Sequence, residues 1–466
     1  MENVCIGDIL SLLSGKVLGP DTALDTPVTG VCFDTRKLQP GEFFLPIRGE
    51  KVDGHNFIQK AFELGAAGTF TMVEPQAYLP GKAYIQVPDT AQVPMLLGKW
   101  YRDRFAIPFI AVTGSVGKTT TKDMVSAVLS EKFSTHKTPD NHNNLLGVSS
   151  ALLDLSSENA LSVVEMGMNH FGELRAISQL VRPRVCLITN IGDAHIENLG
   201  SREGILKAKC EVLEHMDPSG PVILNGDDEL LGTLRDQLTH PVIYCGASPH
   251  NDYYVTDQDR DLITEDLRCV IHTPSGQFPV VIPSLGDYMV YPVLMAAAVG
   301  EYFGMSHEEI ARGILRYAPT KMRMNVIDRG HRVRILDDGY NANPQSMRAG
   351  LQTLASTQGE YKMAILGDML ELGPMGPSLH AAVGRAAGDA GINCLVAIGE
   401  LSRSIADAAG DHQVPEVYWF ATKEEALPTI AKLVQPNAAI LVKASRGMKF
   451  EDIVQYLVSI TPDKEP

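Results

Sequence analysis

A chain of 466 residues, 44% hydrophobic and 21% charged, is too long for one ordinary domain, and roughly two to four globular domains are expected. Its net charge of −16 argues against nucleic acid as a partner, and no apolar run reaches the length of a membrane-spanning helix. Seven scattered cysteines without a C-x-x-C pair, behind an N-terminus (MENVCIGDILSLLSGKV) that lacks a basic start, disfavour a disulfide framework, a thiolate zinc site and a secretory signal, and fit a reducing cytoplasm.

Residues 1–105 read as a small mixed α/β domain. VTGVCFDTRKLQPGEFFLPIRG holds short strand-like runs punctuated at Pro40-Gly41. From Asp53, DGHNFIQKAFELGAAG predicts a loop and then a helix carrying Phe57, Ala61, Phe62 and Leu64, stopped by Gly65. Asp34-Thr35-Arg36 and Asp53-Gly54-His55 cluster polar groups beside turns. Spacing alone leaves two readings for them, a loop-built pocket or turn and capping chemistry.

Residues 106–318 alternate apolar runs with helical patterns, as a doubly wound α/β domain does. Strands are expected at 109–113, 161–166, 185–190 and 221–225, and ligands of such sheets collect at the carboxyl ends of strands. The first strand runs into Gly114-Ser115-Val116-Gly117-Lys118-Thr119-Thr120, after which Met124, Val125, Val128 and Leu129 recur at helical spacing. Strand, glycine loop and helix N-terminus in that order form a phosphate cradle, because glycines let backbone N–H groups approach an anion and the helix end adds positive potential. Lys118 would reach the terminal phosphates of ATP, and the Thr119 hydroxyl would ligate Mg²⁺. The common P-loop spacing has one further glycine, where this chain has Val112.

Glu165 ends the next strand, Thr189 to His195 follow the third, and Ala208-Lys209-Cys210-Glu211 falls on a helix. Singly, these are a strand-end charge, a loop histidine and a solvated lysine. In order behind a P-loop, they predict one rim on which Glu165 and His195 serve Mg²⁺. Between 250 and 283, YYVTDQ, LRCVIHT and QFPVVIP read as an antiparallel insertion on the sheet edge. Met289 to Phe303 reads as an apolar helix, and Ser306 to Glu309 as a capping box.

Residues 319–466 form a second alternating stretch, with strands expected at 333–337, 362–367, 394–398, 416–420 and 438–443 and a capping box at Thr422 to Glu425. No second P-loop occurs, so this domain is expected to complete the first site. Arg323 stands near the boundary, where an arginine can swing onto phosphates. Asp337-Asp338-Gly339-Tyr340-Asn341-Ala342-Asn343-Pro344 puts two carboxylates at a strand end, where one can accept from ribose hydroxyls. LGDMLELG from Leu366 and VKASRG from Val442 end two further strands. Turn and cap chemistry accounts for these loops equally well on spacing alone.

Together the motifs resemble the Mur ligase family across all three domains. The short form TGSVGKTT resembles Mur ligases and folylpolyglutamate synthetases. The D-T-R…D-G-H pattern resembles the N-terminal domain of the UDP-muramoyl-peptide ligases, and NHNNLLGV, EMGMNHFGEL, TNIGDAHIENLGS, AKCEV, DDGYNANPQSM, LGDMLELG and VKASRGM are similar to the branch that adds D-alanyl-D-alanine. The resemblance implies a domain for the UDP part of the substrate (1–105), a central ATPase domain (106–318) and a Rossmann-like C-terminal ligase domain (319–466). It implies that the P-loop residues Gly114 to Thr120, with Asp338 and Asn341, bind ATP. Thr119, Glu165, His195 and a carbamylated Lys209 would serve two Mg²⁺ ions. Thr35, Arg36, Asn143, Asn144, Lys443, Ser445 and Arg446 would contact substrate, and Lys118 and Arg323 the reacting phosphates.

The chain departs from the family where G-x-H-N-V-x-N usually stands. It reads Gly286-Asp287-Tyr288-Met289-Val290-Tyr291-Pro292, so adenine must be held differently, by packing against Tyr288. Ala444 also replaces a usual glycine. The implied activity is ATP-dependent joining of D-alanyl-D-alanine to UDP-N-acetylmuramoyl-tripeptide through an acyl phosphate, by a cytoplasmic monomer. Hinges are expected near 105 and 318–325. Two rivals are a folylpolyglutamate synthetase and a nucleotide-binding homologue without turnover.

Overall fold

The computed structural model describes residues 1–19, 23–49 and 52–463. In the N-terminal part, short apolar runs assemble one five-stranded sheet in the order Lys16–Leu18, Ala83–Gln86, Gly68–Thr71, Phe43–Phe44, Val31–Cys32. Only its first pair is antiparallel. The helix expected from Phe57 onward is shorter than its pattern. Asp53 caps a 3₁₀ turn over Gly54–Phe57, and α-helix follows only over Ile58–Glu63. The tighter turn rotates Phe57 off the Ala61–Phe62 face, so Phe57 is 41% exposed while Ala61 is fully buried.

The central sheet has six parallel strands in the order Val242–Cys245, Val222–Asn225, Val185–Ile188, Phe109–Thr113, Leu161–Glu165, Thr135–Lys137. The four expected strands are its interior. The two edges escaped the sequence reading: Thr-His-Lys has no apolar run, and Val242–Cys245, as short as two of the interior strands, was not singled out. The third strand stops at Ile188 rather than 190, because Thr189 and Asn190 turn away to hold the P-loop. The insertion is three antiparallel strands, Tyr254–Arg260, Leu267–Thr273 and Gly276–Ile282, tied to the edge strand by a Cys245–Tyr253 bridge. Its inward residues share one core with the helices Lys118–Leu129, Val290–Tyr302 and His307–Leu315. The Ser306 capping box forms.

The C-terminal sheet runs Asn325–Asp328, Arg334–Asp337, Ala438–Lys443, Tyr361–Gly367, Cys394–Ile398, Glu416–Phe420, with only the first pair antiparallel. All five expected strands are present, and Asn325–Asp328 is an added edge. At Thr422 the capping box is reduced to its hydroxyl half, which accepts from Glu425 N–H.

The two junctions differ. Val93, Leu97 and Tyr101 lie in one buried cluster with Val148, Leu152, Ile177 and Val181, and Tyr101 Oη donates to Leu155 O at 2.9 Å. A hinge at 105 would have to part this apolar core, so the expectation of bending there is revised. The C-terminal clusters take in only Leu285 from the preceding part. Polar contacts bridge that second junction: Thr320 Oγ1 to Asp123, the Arg334–Glu265 ion pair, and Gln358 N to Glu265 Oε1 at 2.7 Å.

Candidate active site

A cleft of about 730 Å³ opens between the central and C-terminal sheets, at the carboxyl ends of their strands. The P-loop forms one wall. Gly114 has φ +145°, and a Cβ there would stand 1.9 Å from Thr189 Oγ1; Gly117, at φ +82°, caps the following helix in the left-handed region. Lys118 Nζ turns back onto Gly114 O (2.8 Å) and Ser115 O (3.2 Å). Burial lowers its pKa, with Glu165 opposing and Arg323 assisting.

Sequence reasoning missed what holds this loop. Asn190 brackets Val116, accepting from its N–H at 2.9 Å and donating to its carbonyl at 3.0 Å. Thr189 Oγ1 also donates to Val116 O, and Gly192 N–H to Ser115 Oγ. A Thr-Asn pair directly after an apolar strand was the available signal.

Three more of the expected residues surround Lys118. Glu165 is 1% exposed; its Oε1 accepts from Asn143 Nδ2 at 2.8 Å, while Oε2 is buried without a hydrogen-bond donor. His195 takes φ +64° at the head of the Ile196–Leu199 turn. Its Nδ1 lies 3.0 Å from Glu371 Oε2 without hydrogen-bond alignment. Burial, and then the Lys118 and Lys209 charges, push its pKa down to about 4. Lys209, on the Arg202–Cys210 helix, is 2% exposed. Burial and then Lys118 hold its pKa well below the ordinary lysine value. Among the described residues its ammonium has neither an ion-pair nor a hydrogen-bond partner.

The facing wall comes from the C-terminal part. The Arg323 guanidinium lies 4.0 Å from the centre of the Tyr340 ring. Asp338 and Asn341 line the cleft beside it. Tyr288, Met289, Tyr291, Pro292 and Met295 line its apolar end, and Tyr291 Oη donates to Asp227 Oδ2 at 3.2 Å.

Other expected site residues lie elsewhere or are engaged internally. Thr35 and Arg36 do not line the cleft, and the Arg36 side chain, 87% exposed, pairs with Asp34 at 2.7 Å. Asn144 caps the Leu145–Leu152 helix by accepting from Gly147 N–H. Lys443, 2% exposed, gives its ammonium to Asp338 Oδ2 (2.5 Å) and Asn341 O (2.9 Å). Ser445 Oγ accepts from Leu370 N–H at 2.9 Å and so joins two loops. Arg446 pairs with Glu451 at 2.9 Å, outside the cleft wall. Ala444 is fully buried within the sheet core.

Among the described residues no three His, Cys, Asp or Glu side chains form a ready-made metal cage. Mg²⁺ does not need one. It is commonly bound by one or two protein oxygens together with substrate phosphates, and a buried Glu165 Oε2 without a hydrogen-bond donor, in a cleft that Thr119 also lines, fits that mode.

Three family models match the chain in succession: "Mur ligase family, catalytic domain" over residues 27–94, "Mur ligase middle domain" over 112–300, and "Mur ligase, glutamate ligase domain" over 322–446. The chain is 36% identical over 455 residues to the UDP-N-acetylmuramoyl-tripeptide–D-alanyl-D-alanine ligase of Bacillus subtilis (strain 168), covering 97% of this chain and 98% of that one. It is 32% identical to the enzyme of the same name from Escherichia coli (strain K12), over 98% and 99%. A crystal structure of MurF from Acinetobacter baumannii superposes with a TM-score of 0.86 at 32% identity, covering 98% of each chain.

Proposed function

Because this chain belongs to the Mur ligase family, we propose that it is an ATP-dependent peptide ligase that joins D-alanyl-D-alanine to UDP-N-acetylmuramoyl-tripeptide in peptidoglycan precursor synthesis. The observation that carries the reading is the convergence at one cleft of phosphate-handling groups from two sheets: the P-loop with Lys118 and Glu165 on one side, Arg323 and Asp338 on the other.

A carboxylate is a poor acyl donor, since its leaving group would be oxide. Attack of a tripeptide carboxylate oxygen on the γ-phosphorus of ATP gives an acyl phosphate and ADP. The D-alanyl-D-alanine amine then attacks the acyl carbon, loses its proton, and expels phosphate as the amide forms. Lys118, the P-loop N–H groups and Arg323 stabilise charge on the transferring phosphoryl group. Bound Mg²⁺, two ions by family resemblance, would be held by Thr119, Glu165 and His195 and would supply further charge neutralisation there. A carbamate on Lys209 is part of this reading. It is supported by a buried amine of depressed pKa, which is neutral enough to add CO₂ with loss of a proton.

Residues 1–105 carry the UDP end in this reading, with Thr35 and Arg36 as its contacts; 106–318 binds ATP, and 319–466 binds the dipeptide and closes the site. Asp338 and Asn341 face the nucleotide, and Asn143 orients Glu165. Lys443 and Ser445 serve by shaping the loops, Asn144 acts as a helix cap, and Arg446, paired with Glu451 outside the cleft wall, would have to leave that pair to meet the dipeptide carboxylate. Closure about 318–325 would exclude water that would otherwise hydrolyse the acyl phosphate. Among the described residues no helix is long and apolar enough to cross a membrane, and a cytoplasmic monomer is the proposed working form.

The test is phosphate release from ATP with both substrates and with each omitted in turn. Release that requires both supports the ligase. Release with a folate substrate would favour the folylpolyglutamate synthetase, and ATP binding without turnover under any combination a non-catalytic homologue.

A further inference from the structure

Lys122 stands one helical turn beyond the P-loop lysine and is 1% exposed, yet no motif singled it out. A lysine buried this deeply is rare unless it is paired. Its ammonium donates to Thr138 O at 3.0 Å and to Asp140 O at 2.9 Å. Two carboxylates face it: Asp123 Oδ1 at 3.7 Å and Glu165 Oε2 at 3.8 Å. Asp123 is already occupied, by Lys137 at 2.7 Å and by the Thr320 hydroxyl. Glu165 Oε2 has no hydrogen-bond donor. The Lys122 charge is therefore available chiefly to Glu165, with Lys118 as the other cation near that carboxylate.

The same lysine sets the opposite side of Glu165. Thr138 and Asp140, whose carbonyls it holds, belong to the segment that delivers Asn143, and Asp140 keeps a left-handed φ of +42°. Thr138 Oγ1 accepts from Glu165 N–H at 3.0 Å, and Asn143 Nδ2 donates to Glu165 Oε1. Both carboxylate oxygens thus depend on Lys122, one through charge and one through the segment it ties down.

We propose that Lys122 is a positioning residue for phosphoryl transfer: it holds Glu165 with Oε2 free as an acceptor for a divalent cation in the cleft. This rests on the ligase reading for its purpose, but its test does not require turnover. Mn²⁺ binding to the ADP complex is measured by the electron paramagnetic resonance of free Mn²⁺ in the native chain, in Lys122→Gln, in Glu165→Gln and in the double variant. Lys122→Gln keeps N–H donors for the two carbonyls and removes the charge. It is expected to weaken Mn²⁺ binding by about tenfold in the native background and by less than about twofold in the Glu165→Gln background, as for groups that orient a metal ligand.

Equal losses in both backgrounds, or no loss in the native one, would overturn the proposal and leave Lys122 a tie between helix and loop. Should Lys122→Gln fail to fold, Lys122→Arg keeps the charge. Mn²⁺ affinity within about threefold of native supports the proposal, and a larger loss overturns it. Absence of phosphate release from the native chain would overturn the ligase reading while leaving these binding comparisons intact.

Discussion

Lys209, on a helix, and Lys443, at the end of a strand, are both 2% exposed, yet their surroundings are opposite. Lys443 meets a carboxylate at 2.5 Å and a backbone carbonyl at 2.9 Å, and so binds the DDGYNANP loop to its own strand. Among the described residues Lys209 meets no anion, and the charge that acts on it is another lysine. A buried cation with its counter-charge is scaffolding. One without it is held at a cost that only chemistry or a ligand explains. The same contrast separates the two loop clusters. The P-loop rim keeps on Glu165 an acceptor without a hydrogen-bond donor, whereas Ser445 and Asp368 are spent on Leu370 and Ser402 within the C-terminal part.

This contrast can be broken most directly by removing the lysines. Lys118→Ala and Lys209→Ala should each lower kcat by about 10³-fold or more, since each removes charge or a ligand at the transferring phosphate. Short carboxylic acids should restore part of the Lys209→Ala activity and none of the Lys118→Ala activity. Equal failure of rescue in both would remove support for a carbamate. Lys443→Met should act on stability instead: denaturant unfolding is expected to show a loss of about 3–5 kcal/mol, because Asp338 is left without its partner. In the folded fraction the KM for D-alanyl-D-alanine should stay near native. A selective rise in that KM would turn Lys443 back into a substrate grip.

The glycines of the P-loop give a finer comparison. Gly114→Ala should cost roughly 1–3 kcal/mol in thermal unfolding, for its Cβ would collide with Thr189 at a backbone angle that side chains rarely adopt. Gly117→Ala should cost no more than about 1 kcal/mol, since nothing lies within 4 Å of that Cβ and only its φ is unfavourable. Parity between the two would mean that the Thr189 contact relaxes freely.

The smallest effect concerns His136, whose pKa burial lowers to about 4 from an ordinary value of 6.5. The folded chain holds it neutral, so its contribution to stability is complete above pH 6.5. That contribution is lost as the unfolded chain takes up a proton more readily, down to about pH 4. His136→Asn should flatten melting temperature against pH in that window. An unchanged acid limb would assign the loss to other groups.

Much of the site was legible because its signals are local. A strand, two glycines, a lysine and a helix start are neighbours in the chain, and their geometry follows from backbone conformation. Glu165 by itself reads as a strand-end charge, and only its place in order behind the P-loop marked it. What held the P-loop was less legible, because Thr189 and Asn190 lie some seventy residues away, and only strand order brings them beneath Val116. Lys122 gave no signal at all, since a single lysine in a helix pattern is ordinarily solvated.

The sequence by itself determined the three α/β sheets, the phosphate loop and the resemblance to Mur ligases, since strand periodicity and glycine spacing act over a few residues. The tertiary structure decided which charged groups are paired. Lys443, Ser445 and Lys122 turn inward, and Lys209 is left without an anion, through contacts set by the stacking of distant strands. It also decided that the junction at 105 is a continuous apolar core, while the one after 318 is bridged by polar contacts. Burial and pairing depend on neighbours across the fold, and those neighbours are absent from any local pattern.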